Sequence, residues 1–267
     1  MARYRQWDVN VGLVLGREGA VVIDTRSSGI QGAEIQDDIR ALGAGIRVRH
    51  VVNTHVHFDH TLGNCAFEGA AVYAHENVGR TIERDSAAVM ELFRADPRDA
   101  PEYGYTAADV VGVLATEVRV PDVTFDSVVK VDLGNRRVVM THTGRGHTDG
   151  DVVVTVPDAD VAFFGDLVEE SAHPSLGEDC WPLEWAPTLD AHAVGLGRGS
   201  VVVPGHGLPV GSSFVLRQRE DLAVVAAVIA ERRAAGLTLE QASRQPDDRL
   251  PYPLEWLTTA FARAWGQ

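Results

Sequence analysis

Short apolar runs bounded by turns alternate along this 267-residue chain with longer stretches that have helical spacing. Runs of strand length predict strands, and apolar positions three and four residues apart predict helices. The predicted strands are 11–15, 20–23, 48–52, 71–74, 128–131, 137–142, 151–156, 161–164 and 201–203. The predicted helices are 30–42, 62–67, 76–95, 189–196 and 214–235. This order predicts an α/β fold in which two mixed β-sheets pack face to face with helices outside, a four-layer αβ/βα sandwich.

The chain carries no linker, repeat or block of like charges, so a single domain over residues 1–267 is predicted. Residues 96–121 contain Pro97 and Pro101 and break the strand pattern, which indicates a lid-like insertion with some helix. Residues 212–267 are predicted to form a C-terminal helical segment.

The formal net charge is −14, and Lys130 is the single lysine. Such a surface repels a polyphosphate backbone, which argues against a nuclease and a nucleic-acid partner and suits the binding of cations. The N-terminal residues lack the apolar run of a secretory signal, and no stretch reaches the length of a membrane span, about 20 apolar residues. A cytoplasmic protein with no membrane partner is expected. Cys65 and Cys180 form no closely spaced pair, which indicates reduced thiols.

The strongest chemical signal is the segment from Thr54 to His60, which follows a predicted strand and precedes a predicted helix. It holds four good metal ligands, namely His55, His57, Asp59 and His60. Extended backbone directs the first two side chains to one side, and the turn toward the helix directs the other two to a neighbouring position. A tetrahedral zinc ion with two imidazoles needs a third donor and an open place for water. This segment therefore supplies ligands for two ions rather than for one.

Further ligand candidates lie at loops near other strand ends. His147 lies in a Gly-rich turn between two predicted strands, and Asp166 follows the strand 161–164. His206 lies in Pro204-Gly205-His206-Gly207 after the strand 201–203. Loops at one edge of a sandwich can converge on a site, so these three side chains are further candidates for metal ligands.

With these landmarks in this order, residues 11–210 resemble the metallo-β-lactamase-fold metallohydrolase superfamily. The resemblance implies that His55, His57 and His147 bind one zinc ion. It implies that Asp59, His60 and His206 bind a second, with Asp166 bridging the two. Iron or manganese in place of zinc is compatible with the same ligands. Asp24, at the end of a predicted strand, is expected to brace a ligand loop rather than to bind metal.

The chemistry that the resemblance implies is hydrolysis of an ester, thioester, lactone or amide-like bond in a small molecule. A hydroxide shared by the two zinc ions would attack the carbonyl, and Asp59 would serve as the catalytic carboxylate that orients the nucleophile or takes its proton. Trp181, Trp185, Arg145 and Tyr103 are candidates for the substrate pocket. The insertion 96–121 and the loop 171–185 are expected to border its mouth.

Several alternatives stay open. A glyoxalase II-like thioesterase shares the metal residues, although the segment around His206 departs from that group and its basic C-terminal region is not evident. A secreted β-lactamase is disfavoured by the missing signal and the near absence of lysine. A mononuclear iron dioxygenase on the same fold and a non-catalytic metal-binding scaffold are alternatives from other classes. The oligomeric state is not indicated by the sequence.

Overall fold

In the computed structural model, which describes residues 1–43, 45–95 and 106–267, the strands form two mixed sheets of six strands each. The first sheet has the order β1 (Ala2–Arg3), β2 (Asn10–Gly16), β3 (Gly19–Ile23), β4 (Val48–Val52), β5 (Ala71–His75) and β6 (Val123–Phe125). The second sheet contains β7 (Val128–Asp132), β8 (Arg137–Thr141), β9 (Val153–Val156), β10 (Val161–Glu169), β11 (Val201–His206) and β12 (Val210–Gly211), also in spatial order. Strands β3, β4, β5 and β6 are parallel to one another, β10 is parallel to β11, and the remaining pairs are antiparallel.

Helices cover the outer faces of both sheets. They are α1 (Gly29–Leu42), α2 (Phe58–Thr61), α3 (Glu76–Ala95), α4 (Ala107–Leu114), α5 (Trp185–Ala193), α6 (Ser212–Ala234), α7 (Leu239–Arg244) and α8 (Thr258–Ala264). Ile35 of α1 packs in one apolar cluster with Val22 of the first sheet, and Leu222 of α6 packs in another with Val202 of the second. The expected four-layer sandwich is therefore confirmed. No described helix combines the length and the apolar character needed to span a bilayer.

The central strands are apolar on both faces because they lie between two layers. Val21 and Ile23 of β3 join Phe163 and Val203 of the other sheet in the core between the sheets, whereas Val22 faces α1. Full burial of an aliphatic side chain contributes about 1.5–3 kcal/mol. Strands buried on both faces read as continuous apolar runs, which is why the sequence pattern located them well.

Two elements that carry site residues differ from their predicted bounds. β10 continues past 164 to Glu169, so Asp166 lies within the strand and not after its end. Its pairing with β11 shifts register on either side of Gly165, which bends the strand at this point. The helix predicted at 189–196 begins at Trp185 instead. Tertiary pairing and packing extended both elements through residues with weak local preference.

The predicted insertion and C-terminal segment are partly helical. Residues 96–105, which include Tyr103, lie outside the described residues. The described remainder forms α4, which begins with a capping box at Thr106 and buries Val110 and Val113 against Leu62. Its lid-like role stays a prediction. Residues 212–267 contain α6, α7 and α8.

Candidate metal centre

The His55–His60 segment is held by the ends of two neighbouring strands. β4 ends at Val52, and α2 begins at Phe58 after the turn. The buried side chain of Asn53 donates a hydrogen bond to the carbonyl of His60 over 3.2 Å. The backbone N–H of Thr25, just after β3, donates to the same carbonyl over 2.9 Å. The turn that carries the ligands is thus fixed by buried hydrogen bonds.

The other three ligand candidates come from the second sheet. His147 lies in the turn between β8 and β9, where the Asp151 carboxylate accepts hydrogen bonds from the backbone N–H and the hydroxyl of Thr148 at 3.0 and 2.7 Å. Burial raises the pKa of Asp151 to about 8 despite these bonds. Asp166 lies on β10, and His206 is the last residue of β11.

The seven side chains meet in two adjoining groups. The first group is His55, His57, His147 and Asp166, and the second is Asp59, His60 and His206; within each, the possible ligand atoms lie within 4.8 Å of one another. In the first, His57 Nδ1 is 2.9 Å from His147 Nε2. In the second, His60 Nε2 is 3.3 Å from His206 Nε2.

Asp166 lies between the two groups. Its Oδ1 is 3.2 Å from His60 Nε2, and its Oδ2 is 3.2 Å from His206 Nε2. The same Oδ2 lies 3.5 Å from His147 Nε2. One carboxylate is thus within reach of cations in both groups, which is the placement that a bridging ligand requires.

Each of the five histidines has one ring nitrogen held by the protein and the other directed into the cluster. The held atoms are Nδ1 of His55 at Thr54 Oγ1 (3.0 Å), of His60 at Asp24 Oδ2 (2.9 Å), of His147 at the Ser175 carbonyl (3.0 Å) and of His206 at the Trp7 carbonyl (2.5 Å). His57 is reversed, with Nε2 at Asp179 Oδ2 over 2.9 Å. Carbonyl and carboxylate oxygens only accept hydrogen bonds, and the Thr54 hydroxyl gives its own proton to Asp24. When such a ring is neutral, its proton therefore resides on the held nitrogen and the inward nitrogen presents a lone pair.

The cluster fits a bound cation on two further grounds. His55 Nε2 is buried and has no hydrogen-bond partner among the described residues, a costly state that a metal ion would relieve. Burial lowers the pKa of His147 to about 4 and that of His55 well below its usual value, so both rings are neutral, as ligands must be. Imidazole nitrogens with carboxylate oxygens are a donor set that suits zinc.

In the second group, the pKa of His206 shifts in the opposite direction to those of His55 and His147. Burial alone would lower the pKa of His206, but the carboxylates of Asp166 and Asp59 raise it to about 10. A proton on this ring therefore balances the neighbouring carboxylates, and a metal ion that binds there replaces the proton.

Two glycines allow the strands to approach the site. Gly165 has φ of +53°, and a Cβ there would lie 2.5 Å from Thr54 Oγ1. A Cβ on Gly205 would lie 1.8 Å from Asp166 Oδ1. A side chain at either position would therefore displace the residues that surround the ligands.

Asp24 lies behind the second group, where a bracing residue belongs. Its buried carboxylate accepts hydrogen bonds from the backbone N–H and the hydroxyl of Thr54, both at 2.8 Å, as well as the bond from His60. Its φ is +62°, a left-handed conformation that aspartate adopts more readily than most residues.

The residues predicted to line the substrate pocket differ in burial and contacts. The expectation for Trp185 is wrong, because its side chain is 0% exposed and its Nε1 donates to the Leu167 carbonyl in the core. Arg145 is half-exposed, pairs with Glu184 at 2.8 Å and stacks 3.5 Å above the Trp181 ring. Trp181 is partly exposed. The structure assigns no substrate contact to either, and Tyr103 is outside the described residues.

Sequence reasoning missed two acidic residues at the site. Asp179, which holds His57, follows Glu178 in a loop without a motif. Glu169 is buried near Asp166 and His206, and its Oε1 accepts a hydrogen bond from Ser171 N–H over 3.1 Å. Burial, together with the charge of Asp166, raises the pKa of Glu169 to about 7. No local signal distinguishes either from ordinary surface carboxylates.

A comparison with protein families covers the residues of both groups. The profile of the metallo-beta-lactamase superfamily matches residues 4–211. The chain belongs to this superfamily. Its members are hydrolases, so the family supports an enzyme, without showing its substrate.

Individual relatives are more distant. The metallo-beta-lactamase type 2 of Bacillus cereus is 27% identical over 178 residues, which are 66% of this chain and 58% of that protein. The acyl-coenzyme A thioesterase MBLAC2 of Bos taurus is 28% identical over 174 residues, 61% of this chain and 59% of that protein. The chain thus spans less than two thirds of the curated relatives it matches. The solved sec-alkylsulfatase Pisa1 from Pseudomonas sp. shares the fold, with a TM-score of 0.72 at 19% identity, over 97% of this chain and 47% of that one.

Proposed function

We propose that this chain is a zinc-dependent hydrolase that holds two metal ions and cleaves the bond between the carbonyl carbon and the leaving group of a small-molecule ester, thioester, lactone or amide. The observation that carries the proposal is the pair of adjoining ligand groups that share Asp166. Every histidine in them has its outer nitrogen held, so the inner donors are arranged before any metal binds. Histidines that serve only to pack a core do not need their donor atoms arranged in this way.

Two zinc ions held by these groups would lower the pKa of a shared water to near 7 and polarise the substrate carbonyl. We assign to Asp59 the role of accepting the proton of this water. Its Oδ2 is 3.4 Å from His206 Nε2 and 3.5 Å from His60 Nε2. Burial would raise the pKa of Asp59, but the charges of these two histidines outweigh that effect and lower it. Asp59 is therefore an ionised carboxylate at neutral pH that can orient the nucleophile and accept its proton.

A thioester is the substrate that we place first. Similarity to an acyl-coenzyme A thioesterase supports an acyl carbonyl next to a good leaving group. Similarity to a metallo-beta-lactamase supports a cyclic amide in the same position. A glyoxalase II-like thioesterase is a subclass of the first reading. In each case the partner is a small molecule, and the net charge of −14 continues to argue against nucleic acid.

A mononuclear iron dioxygenase is the alternative of another class. One ion in the first group would leave Asp59, His60 and His206 without a role, although these three converge as closely as the first group does. The described ligand set therefore favours two ions over one. The number and identity of the metals distinguish the two readings directly.

The deciding experiment combines a metal count with a substrate panel. Protein purified without added metal is analysed for zinc, iron and manganese, and is then assayed on matched ester, thioester, lactone and β-lactam substrates. We expect about two zinc ions per chain and turnover of at least one acyl substrate, lost in Asp59→Asn but kept in Asp37→Asn, which is exposed on α1. About one iron per chain, or two zinc ions with no turnover of any substrate, would contradict the proposal.

A further inference from the structure

One loop supports two of the three histidines of the first group. We call residues 174–180 the bracing loop; it contains no helix or strand. Its Ser175 carbonyl accepts the hydrogen bond from His147 Nδ1 at 3.0 Å. Its Asp179 carboxylate holds His57 Nε2 at 2.9 Å. The direction of the inward nitrogens on both histidines therefore depends on where this loop lies.

The loop is attached at both ends to the C-terminal segment. The indole N–H of Trp256 donates to the Pro174 carbonyl over 2.9 Å. The Nε–H of Arg263 donates to the Cys180 carbonyl over 3.1 Å. Between these points, Leu176 packs in the apolar cluster that contains Tyr252, Leu257 and Phe261. The family match ends at residue 211, so every one of these C-terminal contacts comes from outside it.

The His57–Asp179 pair needs such support. Its side chains are 29% and 45% exposed, and a pair so near solvent contributes little that would hold a mobile carboxylate in place. The second group is different, because its histidines are held by Asp24 and by the Trp7 carbonyl. Neither of those residues belongs to the bracing loop.

We propose that Trp256 and Arg263 are positioning residues for the three-histidine subsite: by holding the carbonyls of Pro174 and Cys180, they fix the loop that orients His147 and His57. The inference rests on the proposed metal centre. It predicts that loss of these two hydrogen bonds weakens one metal subsite selectively. It also assigns a function to a segment that the family match does not include.

The test uses Trp256→Phe, Arg263→Gln and the double variant. Trp265→Phe is the matched control, because Trp265 packs against the same apolar cluster and also donates its indole N–H to a backbone carbonyl, but that carbonyl belongs to Leu237 and not to the bracing loop. Metal-stripped proteins are titrated with Zn²⁺ against a chelator to obtain both binding constants. Imidazole nitrogen resonances are recorded in parallel on the metal-free proteins.

We expect the affinity for one of the two ions to fall about tenfold in the double variant, the lower end of the effect of removing outer supports of metal ligands. The resonances of His57 and His147 should change, while those of His60 and His206 stay. Trp265→Phe should keep both binding constants. If the double variant does not fold, Trp256→Phe alone, which keeps an aromatic ring in place, decides the question.

Three outcomes would overturn the inference. These are unchanged binding constants and resonances in a folded variant, equal weakening of both ions, and an equal loss in the Trp265→Phe control. A parent protein that binds no zinc would instead overturn the proposed function, and the imidazole resonances would still test whether the C-terminal segment orients the two histidines.

Discussion

Asp24→Asn isolates the electrostatic part of the support behind the second metal group. Asparagine has the same shape and tolerates the φ of +62° at this position, so the backbone should not change. The change replaces one acceptor oxygen by an NH₂ group. In the parent, Oδ1 accepts from Thr54 N–H, while Oδ2 accepts from the Thr54 hydroxyl and from His60 Nδ1.

Both orientations of the new amide are unfavourable. With its nitrogen toward Thr54 N–H, a buried donor is left without an acceptor, at a cost of about 1–3 kcal/mol in folding free energy. With its nitrogen toward His60, Nδ1 must accept, which moves the ring proton to Nε2 and blocks the atom that faces the metal. Loss of such outer supports lowers metal affinity by about 10–100-fold. That equals about 1.4–2.8 kcal/mol at about 1.4 kcal/mol per factor of ten.

The assay is a chelator-competition titration with Zn²⁺, with folding followed by urea denaturation of the metal-free protein. We expect one of two zinc ions to bind at least tenfold more weakly and the other to bind as in the parent. Asp37→Asn removes an exposed carboxylate on α1 and is the control. An Asp24→Asn protein that binds both ions with parental affinity would show that His60 does not need this carboxylate as its brace.

Three further predictions follow from the same geometry. Asp59→Asn should lower turnover of a true substrate by about 10² or more at verified zinc content, and near-parental turnover would remove this carboxylate from the mechanism. The raised pKa of His206, about 10 against an ordinary 6.5, stabilises the metal-free protein fully below about pH 6.5, and this contribution is lost as the pH rises through about 10. Urea denaturation between pH 6 and 10 should show that decline, while zinc affinity rises because the competing proton leaves. Gln218→Leu should cost about 1–3 kcal/mol in unfolding free energy, since the Gln218 amide donates to the Leu167 carbonyl over 2.8 Å and accepts from Glu169 N–H over 3.0 Å in the core; an unchanged urea midpoint would mean that these backbone groups find other partners.

The placement of the strands and of the longest helices could be read from the chain. The bounds of β3 agree with the apolar pattern to within one residue, and those of α3 agree at both ends, because strands buried on both faces and long amphipathic helices leave strong local signals. The extension of β10 to Glu169 could not be read, since the run Gly165-Asp166 resembles a strand end. Pairing with β11 and the contacts of Gln218 continue the strand there.

The sequence by itself determined which side chains gather at the centre. Four of them lie within six residues, and their spacing was sufficient to name them. The other three stand in short Gly-containing turns or at strand ends, and the family resemblance named them. What supports them was decided only by the tertiary structure. Asp179 meets His57 across 122 positions of sequence, and His206 finds its acceptor at Trp7 across 199. The burial of Trp185, too, depends on which layer covers it. Such contacts arise from how the sheets and the C-terminal segment pack, and no periodicity or motif along the chain encodes the distance between two atoms that are remote in sequence.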